Sequence, residues 1–381
     1  MEFNGYGEEL QYLIDMVESE ESNNWNKANY DLDANMHPDS LRKSFNVGRY
    51  CGYNVAKYYQ NKIESDILSD EEFLRLQKLK DEIYKEKCKL QDANREKRKY
   101  LREESRLETM LEHMKECVLE LEPINFKKTT YSYGTNLEAV LMVSDLHNEA
   151  KVDNVYNYYD REVLIERLGQ LKDKTISICK KEKVDYLNVE LLGDFITGVI
   201  HGSTIAQAQD DVIEQVIGVS EILANFINEL YKEIPNIKVY SVFGNHGRTS
   251  KGKSDRANKE NFERLVPEFL KLRLPHIKVI DSKYEDHLVY KLRDGRLIVN
   301  THGQYDAPNN AMSHFLELLK TDIFEIHMAH YHDYYESNGV VVNGSIIGSD
   351  DYAISLRKNA KATQILRVYG KDVSCYKLIL D

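Results

Sequence analysis

Residues 139–147 read AVLMVSDLH, an apolar run that is followed by a serine, an aspartate and, two positions after the aspartate, a histidine. The layout returns at residues 186–194, YLNVELLGD, and again at residues 238–246, KVYSVFGNH. Short runs rich in Val, Leu and Tyr that end at Gly, Asn or Asp predict buried β-strands followed by turns. Each predicted strand therefore places polar side chains at its carboxyl end.

Strands and helices alternate through the whole C-terminal two-thirds of the chain. The other predicted strands are Leu297–Asn300, Ile323–Met328, Val340–Val342, Thr363–Tyr369 and Ser374–Leu380. The predicted helices are Asp160–Glu182, Ile205–Glu233, Asn258–Leu272 and Asn310–Leu319. This alternation predicts an α/β domain over residues 130–381.

Metal-binding side chains follow five of the predicted strands. They are Asp145, His147, Asp194, Asn245, His302, His330 and His332. Sites in open α/β sheets form beyond the carboxyl ends of strands, so these side chains are expected to converge. A mixed nitrogen and oxygen set without sulfur favours Mn²⁺, with Fe, Zn²⁺ and Ni²⁺ as alternatives. The set exceeds the needs of one ion, which predicts two ions about 3.5–4 Å apart sharing Asp194.

Five short motifs stand in a fixed order between about residues 140 and 335: D-x-H, G-D, G-N-H, a later His, and H-x-H. This order resembles the calcineurin-like metallophosphoesterase superfamily. The resemblance implies two packed mixed β-sheets flanked by helices, and two-metal hydrolysis of phosphoesters. The sequence departs from the family pattern at Ala329 and Thr301, where the family usually or often has glycine.

The resemblance also implies a role for each residue of the site. Asp145, His147, Asp194 and His332 match the ligands of the first metal ion, and Asp194, Asn245, His302 and His330 match those of the second. His246 matches the histidine that protonates the leaving oxygen or stabilises the transition state. Histidine suits either role near neutral pH.

Candidate substrate contacts lie beside these motifs. Arg248 is expected to hold a phosphate oxygen, and Lys251 and Lys253 extend a basic loop that suits a polyanion, although a solvated surface loop gives the same pattern. His201 is either a substrate contact or a structural histidine. His327 lies inside a predicted strand and is expected to pack. The segment after Asp194 lacks the D-R-G continuation of Ser/Thr protein phosphatases.

The N-terminal region, residues 1–65, is predicted to form short helices. Residues 1–24 carry seven acids and no Lys or Arg, whereas residues 25–62 carry six basic residues against three acids. Basic residues among several tyrosines suit nucleic acid, so a helix-turn-helix DNA-binding module is one interpretation. A helical bundle with an exposed polar face is the other.

Residues 66–123 are predicted to form a long coiled-coil helix. Apolar residues repeat on a heptad seam from Leu76 to Leu121, interrupted by Glu86, Lys97 and Glu104, and the stretch ends at Pro123. This pattern predicts a homodimer. One long helix packed against its own chain is the alternative.

Composition bears on membrane association, cellular location and binding to nucleic acid. No run of about 18 apolar residues and no basic leader occur, so no membrane span and no signal peptide are expected. Five scattered cysteines indicate reduced thiols and a cytoplasmic location. The net charge of −12 argues against passive adhesion to nucleic acid, but a local basic surface would still bind it.

The leading functional hypothesis is a two-metal DNA nuclease, similar to the repair-exonuclease branch of the superfamily and to bacteriophage enzymes with an added N-terminal module. The alternative is a phosphodiesterase or phosphatase acting on a small nucleotide or a phosphoprotein, with a protein-binding N-terminus. A degenerate, non-catalytic scaffold is disfavoured by the complete set of ligands.

Overall fold

A computed structural model describes residues 24–46, 111–124, 132–200, 210–249, 260–283, 285–355 and 357–381, with scattered positions between 9 and 109. The chain divides into two compact units, Met1–Lys99 and Tyr100–Asp381. The boundary expected near residue 65 lies outside the described residues. Among the described residues, no helix is long and apolar enough to cross a bilayer.

The first unit contains two short helices, α1 (Trp25–Asp31) and α2 (Pro38–Asn46). Asn24 caps α1 by accepting a hydrogen bond from the Lys27 amide at 3.0 Å. Pro38 begins α2, as the sequence predicts, because proline at the first helical position leaves no amide unbonded. A small apolar core joins the two helices; it consists of Leu13, Ala28, Leu32 and Leu41.

The predicted coiled coil is described only in part. The described positions between residues 75 and 94 are helical, and so are residues 111–120. In the later stretch Met114 is buried in the core of the second unit, and Val118 and Leu121 pack against that core. This end of the seam therefore packs against its own chain. The earlier seam positions Leu76 and Ile83 lie outside the described residues, and the coiled coil stays a prediction.

The second unit is built on two sheets. In the six-stranded sheet the order is β13-β12-β1-β4-β5-β6. These strands are β1 (Glu138–Val143), β4 (Tyr186–Leu191), β5 (Asn236–Ser241), β6 (Lys278–Asp281), β12 (Thr363–Tyr369) and β13 (Val373–Ile379). The four strands β1, β4, β5 and β6 run parallel, so their carboxyl ends share one edge.

The five-stranded sheet has the order β10-β11-β9-β8-β7. Its strands are β7 (His287–Lys291), β8 (Leu297–Thr301), β9 (Glu325–Met328), β10 (Tyr335–Ser337) and β11 (Val340–Val342), while β2 (Val152–Asp153) and β3 (Tyr158–Tyr159) form a small ribbon. Val140 and Met142 of the first sheet share one apolar core with Ile298 and Val341 of the second. The two sheets are therefore packed face to face.

Helices cover the outer faces. They are α3 (Arg161–Glu182), α4 (Val212–Glu233), α5 (Leu265–Arg273), α6 (Pro308–Leu319) and α7 (Asp351–Ser355). Asp160 caps α3 by accepting from the Val163 amide, and Lys183 ends it in the left-handed conformation. Because Leu164 and Leu171 belong to one core with the first sheet, α3 buries its apolar stripe there. The expected pair of mixed sheets flanked by helices is confirmed.

Some boundaries differ from the sequence predictions. The helix expected from Ile205 is observed from Val212, where Asp211 accepts hydrogen bonds from the Ile213 and Glu214 amides. Strands β6 and β7 were not predicted. In β7 buried or half-buried side chains alternate with exposed ones, and β6 has no fully buried side chain, so both give a weaker signal than the continuous apolar run of β1.

A charged network is buried between the two sheets. His327 of β9 contacts Glu190 of β4 through Nδ1 at 2.8 Å and Glu325 through Nε2 at 3.2 Å. Tyr369 donates to Glu325 at 2.6 Å, and Tyr290 donates to Glu190 at 2.7 Å. Burial alone would lower the pKa of His327, but Glu190 and Glu325 outweigh it and raise the pKa to about 9. The histidine is therefore a charged link between the sheets, whereas its position inside a strand predicts only that it packs.

Candidate metal centre

The predicted ligands come from the carboxyl ends of strands in both sheets. Asp145 follows β1, Asp194 follows β4 and Asn245 follows β5. From the second sheet, His302 follows β8, and the pair His330 and His332 follows β9. The packed sheets bring these loops to one edge of the molecule.

The first group of ligands consists of Asp145, His147 and His332, whose ligand atoms all lie within 4.8 Å of one another. The Nε2 atoms of His147 and His332 are 3.3 Å apart, and His332 Nε2 is 3.3 Å from Asp145 Oδ1. Two imidazole nitrogens and a carboxylate that face one point form a set that suits a divalent cation.

The second group consists of Asp194, His302 and His330, again within 4.8 Å. His302 Nε2 is 3.0 Å from Asp194 Oδ2 and 3.2 Å from Asn245 Oδ1. The other ring nitrogen of His302 donates to the Leu192 carbonyl at 2.7 Å, which directs Nε2 toward the group. Asp194 also lies within ligand distance of His147, so it stands between the two groups as predicted.

Five of the seven predicted ligands have a left-handed backbone. Their φ angles are 54° for Asp145, 45° for His147, 53° for Asp194, 73° for His330 and 61° for His332. A residue other than glycine in this region costs about 1–3 kcal/mol, and such residues concentrate at functional sites. These residues therefore lower the stability of the fold, and their backbone conformation turns the ligand side chains toward the site.

The buried carboxylates fit bound cations. Asp145 is fully buried; its Oδ1 faces His332 Nε2 at 3.3 Å, and its Oδ2 has no hydrogen-bond partner within the described part of the chain. An unsatisfied buried carboxylate is costly, and a cation removes that cost. Burial would raise the pKa of Asp194, but His302 and His246 outweigh it and hold the pKa well below its ordinary value. Both aspartates are thus set to act as ionised ligands.

Two glycines allow the ligand loops to touch. A Cβ on Gly244 would lie 2.1 Å from Asp194 Oδ1, and a Cβ on Gly193 would lie 2.4 Å from the Gly244 nitrogen. No side chain fits at either position, so both must be glycine.

Glu263 is a functional residue that sequence reasoning missed. Its buried carboxylate accepts backbone hydrogen bonds from Asp194 at 3.0 Å, Phe195 at 2.6 Å, Ile196 at 3.2 Å and Gly244 at 2.7 Å. It therefore fixes the loops after β4 and β5 to each other. The available signal was a glutamate between Phe262 and the apolar start of α5, a position where an exposed charge is not expected.

His246 lies at the edge of the centre. Its Nδ1 donates to the Thr197 carbonyl at 2.9 Å, and its Nε2 is 4.0 Å from Asp194 Oδ2. The Thr197 contact fixes the tautomer and leaves Nε2 facing Asp194. This geometry suits a proton donor beside the ions. His246 also groups with His147 and Asp194 at ligand distance, so an experiment must separate the two roles.

The predicted substrate contacts are described only at Arg248. This residue is 4% exposed, and its guanidinium lies 5.7 Å from the centre of the Tyr305 ring. It follows the Asn245 loop, and Tyr305 follows His302, so the pair borders the second group of ligands. His201, Lys251 and Lys253 lie outside the described residues.

The model of the calcineurin-like phosphoesterase family matches residues 139–373, which include every ligand described above. The chain belongs to the calcineurin-like phosphoesterase family. It is accordingly a metal-dependent phosphoesterase whose His and Asp clusters form the dinuclear centre of this family.

Relatives of this phosphoesterase include a prophage protein. The chain is 25% identical over 324 residues to the SPbeta prophage-derived uncharacterized protein YonJ of Bacillus subtilis, covering 79% of this chain and 78% of that protein. The prophage origin of this relative agrees with the bacteriophage context that the sequence suggested.

Solved structures with a similar fold were also found. The calcineurin-like phosphoesterase YfkN of Bacillus subtilis is 12% identical, with a TM-score of 0.31 over 64% of this chain and 90% of that one. A putative 5′-nucleotidase of Staphylococcus aureus is 13% identical, with a TM-score of 0.32 over 64% of this chain and 54% of that one. The chain therefore spans about half the length of the nucleotidase.

Proposed function

We propose that this phosphoesterase is a DNA nuclease that hydrolyses phosphodiester bonds with two divalent ions, Mn²⁺ being favoured. When bound, the ions supply Lewis-acid activation of the phosphoryl group and of the attacking water. Asp145, His147, Asp194 and His332 would hold one ion, and Asp194, Asn245, His302 and His330 the other.

The choice of substrate rests on the surroundings of the Arg248 guanidinium. Its Nε and Nη2 atoms are buried and have no hydrogen-bond partner among the described residues. A buried guanidinium is costly to leave unpaired, and a phosphate oxygen satisfies two of its donors at once. The residues that directly follow Asp194, Phe195 and Ile196, are apolar and buried. Among the described residues that follow the strand ends of the site, Arg248 is the cation that could hold the phosphate.

His246 would act on the leaving group. Its Nδ1–H is held by the Thr197 carbonyl, so Nε2 is the atom that carries the proton to the departing oxygen. The sugar oxygen released from DNA is strongly basic, so its departure needs that proton.

Two further features support DNA over a small substrate. One relative is prophage-derived, and a bacteriophage context is consistent with action on DNA. In the first unit, Arg42 and Lys43 lie exposed on α2, and Tyr30 of α1 is 85% exposed. Exposed cations and an exposed aromatic ring on neighbouring helices suit single-stranded nucleic acid.

The test compares substrates with Mn²⁺ present: single-stranded DNA, duplex DNA, cyclic dinucleotides, bis(p-nitrophenyl) phosphate and p-nitrophenyl phosphate. We expect DNA cleavage that EDTA abolishes. Arg248→Gln should lower kcat/KM on DNA about 10²–10³-fold, Arg248→Lys should recover part of the loss, and Arg75→Gln, at an exposed position, should change little. Cleavage of cyclic dinucleotides or monoesters without cleavage of DNA would contradict the proposal.

We also propose that the predicted coiled coil makes the chain a homodimer. The supporting feature is the heptad seam that begins at Leu76, ahead of the part that packs against the second unit. Leu79→Lys with Ile83→Lys should give a monomer in light scattering and leave hydrolysis of bis(p-nitrophenyl) phosphate intact. A monomeric unmodified chain would contradict the proposal.

A further inference from the structure

A cavity lies at the amino ends of the parallel strands of the first sheet, at the end opposite to the metal centre. Its volume is about 260 Å³, and it is lined by the first or early residues of the parallel strands, among them Glu138, Asn188, Lys238 and Lys278. These strands carry the metal ligands at their other ends. The cavity is therefore separate from the catalytic site.

Three cations converge on this cavity from three elements: Lys238 of β5, Lys278 of β6 and Arg293 of the turn between β7 and β8. Among the described residues, none of the three has a carboxylate within ion-pair distance of its side chain. In a chain with net charge −12, three cations that share a cavity with a single carboxylate, Glu138, are an unusual local arrangement.

The two lysines are direct neighbours on adjacent strands. Lys238 and Lys278 are register partners in the parallel pairing of β5 with β6. Like charges at such positions repel each other and weaken the pairing. An anion between the two ammonium groups would reverse the sign of this interaction.

The single carboxylate of the cavity is already engaged. Glu138 accepts from the Asn188 side chain at 2.7 Å through one oxygen and from the Arg293 backbone amide at 2.7 Å through the other. It therefore fixes the Arg293 turn over the sheet and, within the described part of the chain, forms no ion pair with either lysine. The Arg293 guanidinium lies 3.7 Å from the centre of the Tyr186 ring, a cation–π contact that holds its charge at the rim.

We propose that this cavity binds the phosphate group of a small phosphorylated ligand. Two lysines and an arginine supply the charge, and arginine adds the planar fork that suits phosphate oxygens. The cavity lies near the lower end of the range for small-molecule sites, about 300–1,000 Å³, which favours a compact ligand over a nucleic-acid strand. This inference goes beyond the nuclease activity and does not depend on it.

The test is isothermal titration calorimetry on the full-length chain in EDTA, which removes metal ions from the catalytic centre. Inorganic phosphate, a nucleoside 5′-monophosphate and a short single-stranded DNA serve as separate probes. We expect one site for the phosphate-bearing small molecules. A nucleotide that binds more tightly than phosphate would identify the ligand as a nucleotide, and equal affinities would identify free phosphate.

The variants are Lys238→Gln with Lys278→Gln, and Arg293→Gln alone. The double variant should weaken binding about tenfold or more, because it removes two charge-assisted contacts. Lys181→Gln with Lys320→Gln removes the same charge from exposed helix ends and should leave affinity unchanged. Melting curves check folding, and Arg293→Gln, on an exposed turn, gives an independent reading if the double variant unfolds.

Three results would overturn the inference. They are unchanged affinity in both the double variant and Arg293→Gln, binding that requires metal ions, and binding of the DNA probe alone. DNA cleavage by the double variant should match that of the unmodified chain, so failure of this inference is distinct from failure of the nuclease proposal.

Discussion

Two buried clusters of histidine and carboxylate in this molecule use the same residue types in opposite ways. In the network between the sheets, all four carboxylate oxygens of Glu190 and Glu325 accept hydrogen bonds, and both ring nitrogens of His327 have partners. At the metal centre, Oδ2 of Asp145 has no partner within the described part of the chain, and Oδ1 faces another predicted ligand, His332, at 3.3 Å.

The backbone conformation also differs between the inter-sheet network and the metal centre. The residues of the inter-sheet network lie inside regular strands, whereas most metal ligands have left-handed φ angles just beyond strand ends. A cluster completed by protein partners stabilises the fold, and a cluster held unsatisfied by a strained backbone is prepared for a ligand. Residue type alone does not separate the two.

The largest effect is expected from Asp194→Ala. This change removes the carboxylate between the two groups, so metal content should fall and hydrolysis should drop by about 10⁴-fold or more. Metal analysis and kinetics on bis(p-nitrophenyl) phosphate measure both. Asp173→Ala on the exposed face of α3 is the matched control. Normal metal content with full activity would show that Asp194 does not hold the metal ions, and the comparison of the two clusters would then fail.

His246→Asn should keep both ions and lower turnover on DNA about 10²–10⁴-fold, since it removes general acid catalysis. The loss on bis(p-nitrophenyl) phosphate should be much smaller, because p-nitrophenolate leaves without a proton. Metal content that falls with activity would instead identify His246 as a ligand.

Glu263→Gln tests the supporting residue. An amide in place of the carboxylate turns donor hydrogens toward the backbone amides of the Asp194 and Gly244 loops, so Mn²⁺ affinity should fall about 10–100-fold. Excess Mn²⁺ should restore most of the activity, a result that general unfolding would not give. Glu268→Gln, one turn away and half exposed, is the control. Equal Mn²⁺ affinity in both variants would show that Glu263 does not support the metal ligands.

His327→Gln tests the other cluster and should leave metal affinity unchanged. The folded pKa of His327, about 9, exceeds the ordinary value of 6.5 because Glu190 and Glu325 outweigh burial. Its stabilisation is therefore complete below about pH 6.5 and is lost as pH rises through 9, an effect on the order of 3 kcal/mol.

The measurement is the free energy of unfolding from pH 6 to pH 9.5. The unmodified chain should lose stability across this range, and His327→Gln should be less stable at pH 6 and lose less. His314→Gln, at an exposed histidine, is the control. Tyr369, Tyr290 and Arg367 also adjoin the cluster, but their pKa values are raised above their ordinary values and lie beyond this pH range. Parallel pH profiles for the chain and His327→Gln would show that His327 does not cause the slope.

The sequence predicts most of the fold and the convergence of the ligands because strand ends are marked locally. An apolar run that stops at Gly-Asp or Gly-Asn-His identifies both the strand and the donor. Glu263 escapes this reasoning because its role depends on two loops that are distant along the chain. The same holds for His327, since one of its carboxylate partners, Glu190, comes from a strand of the other sheet.

The basic cavity shows a third limit. Lys238 and Lys278 are 40 positions apart, and only the pairing of β5 with β6 makes them neighbours. Arg248 was predicted from its position after the G-N-H motif, but its burial and its unsatisfied nitrogens follow from the packing of Tyr305.

The position of Asp194 between the two ligand groups has a consequence for how the centre fills. One carboxylate cannot be ordered for one ion and remain free for the other, and Glu263 fixes its loop to the loop that carries Asn245. Occupancy of either group therefore prepares the other. The two ions should bind cooperatively. At limiting metal concentration, most molecules should hold either no ion or two ions, and few should hold one.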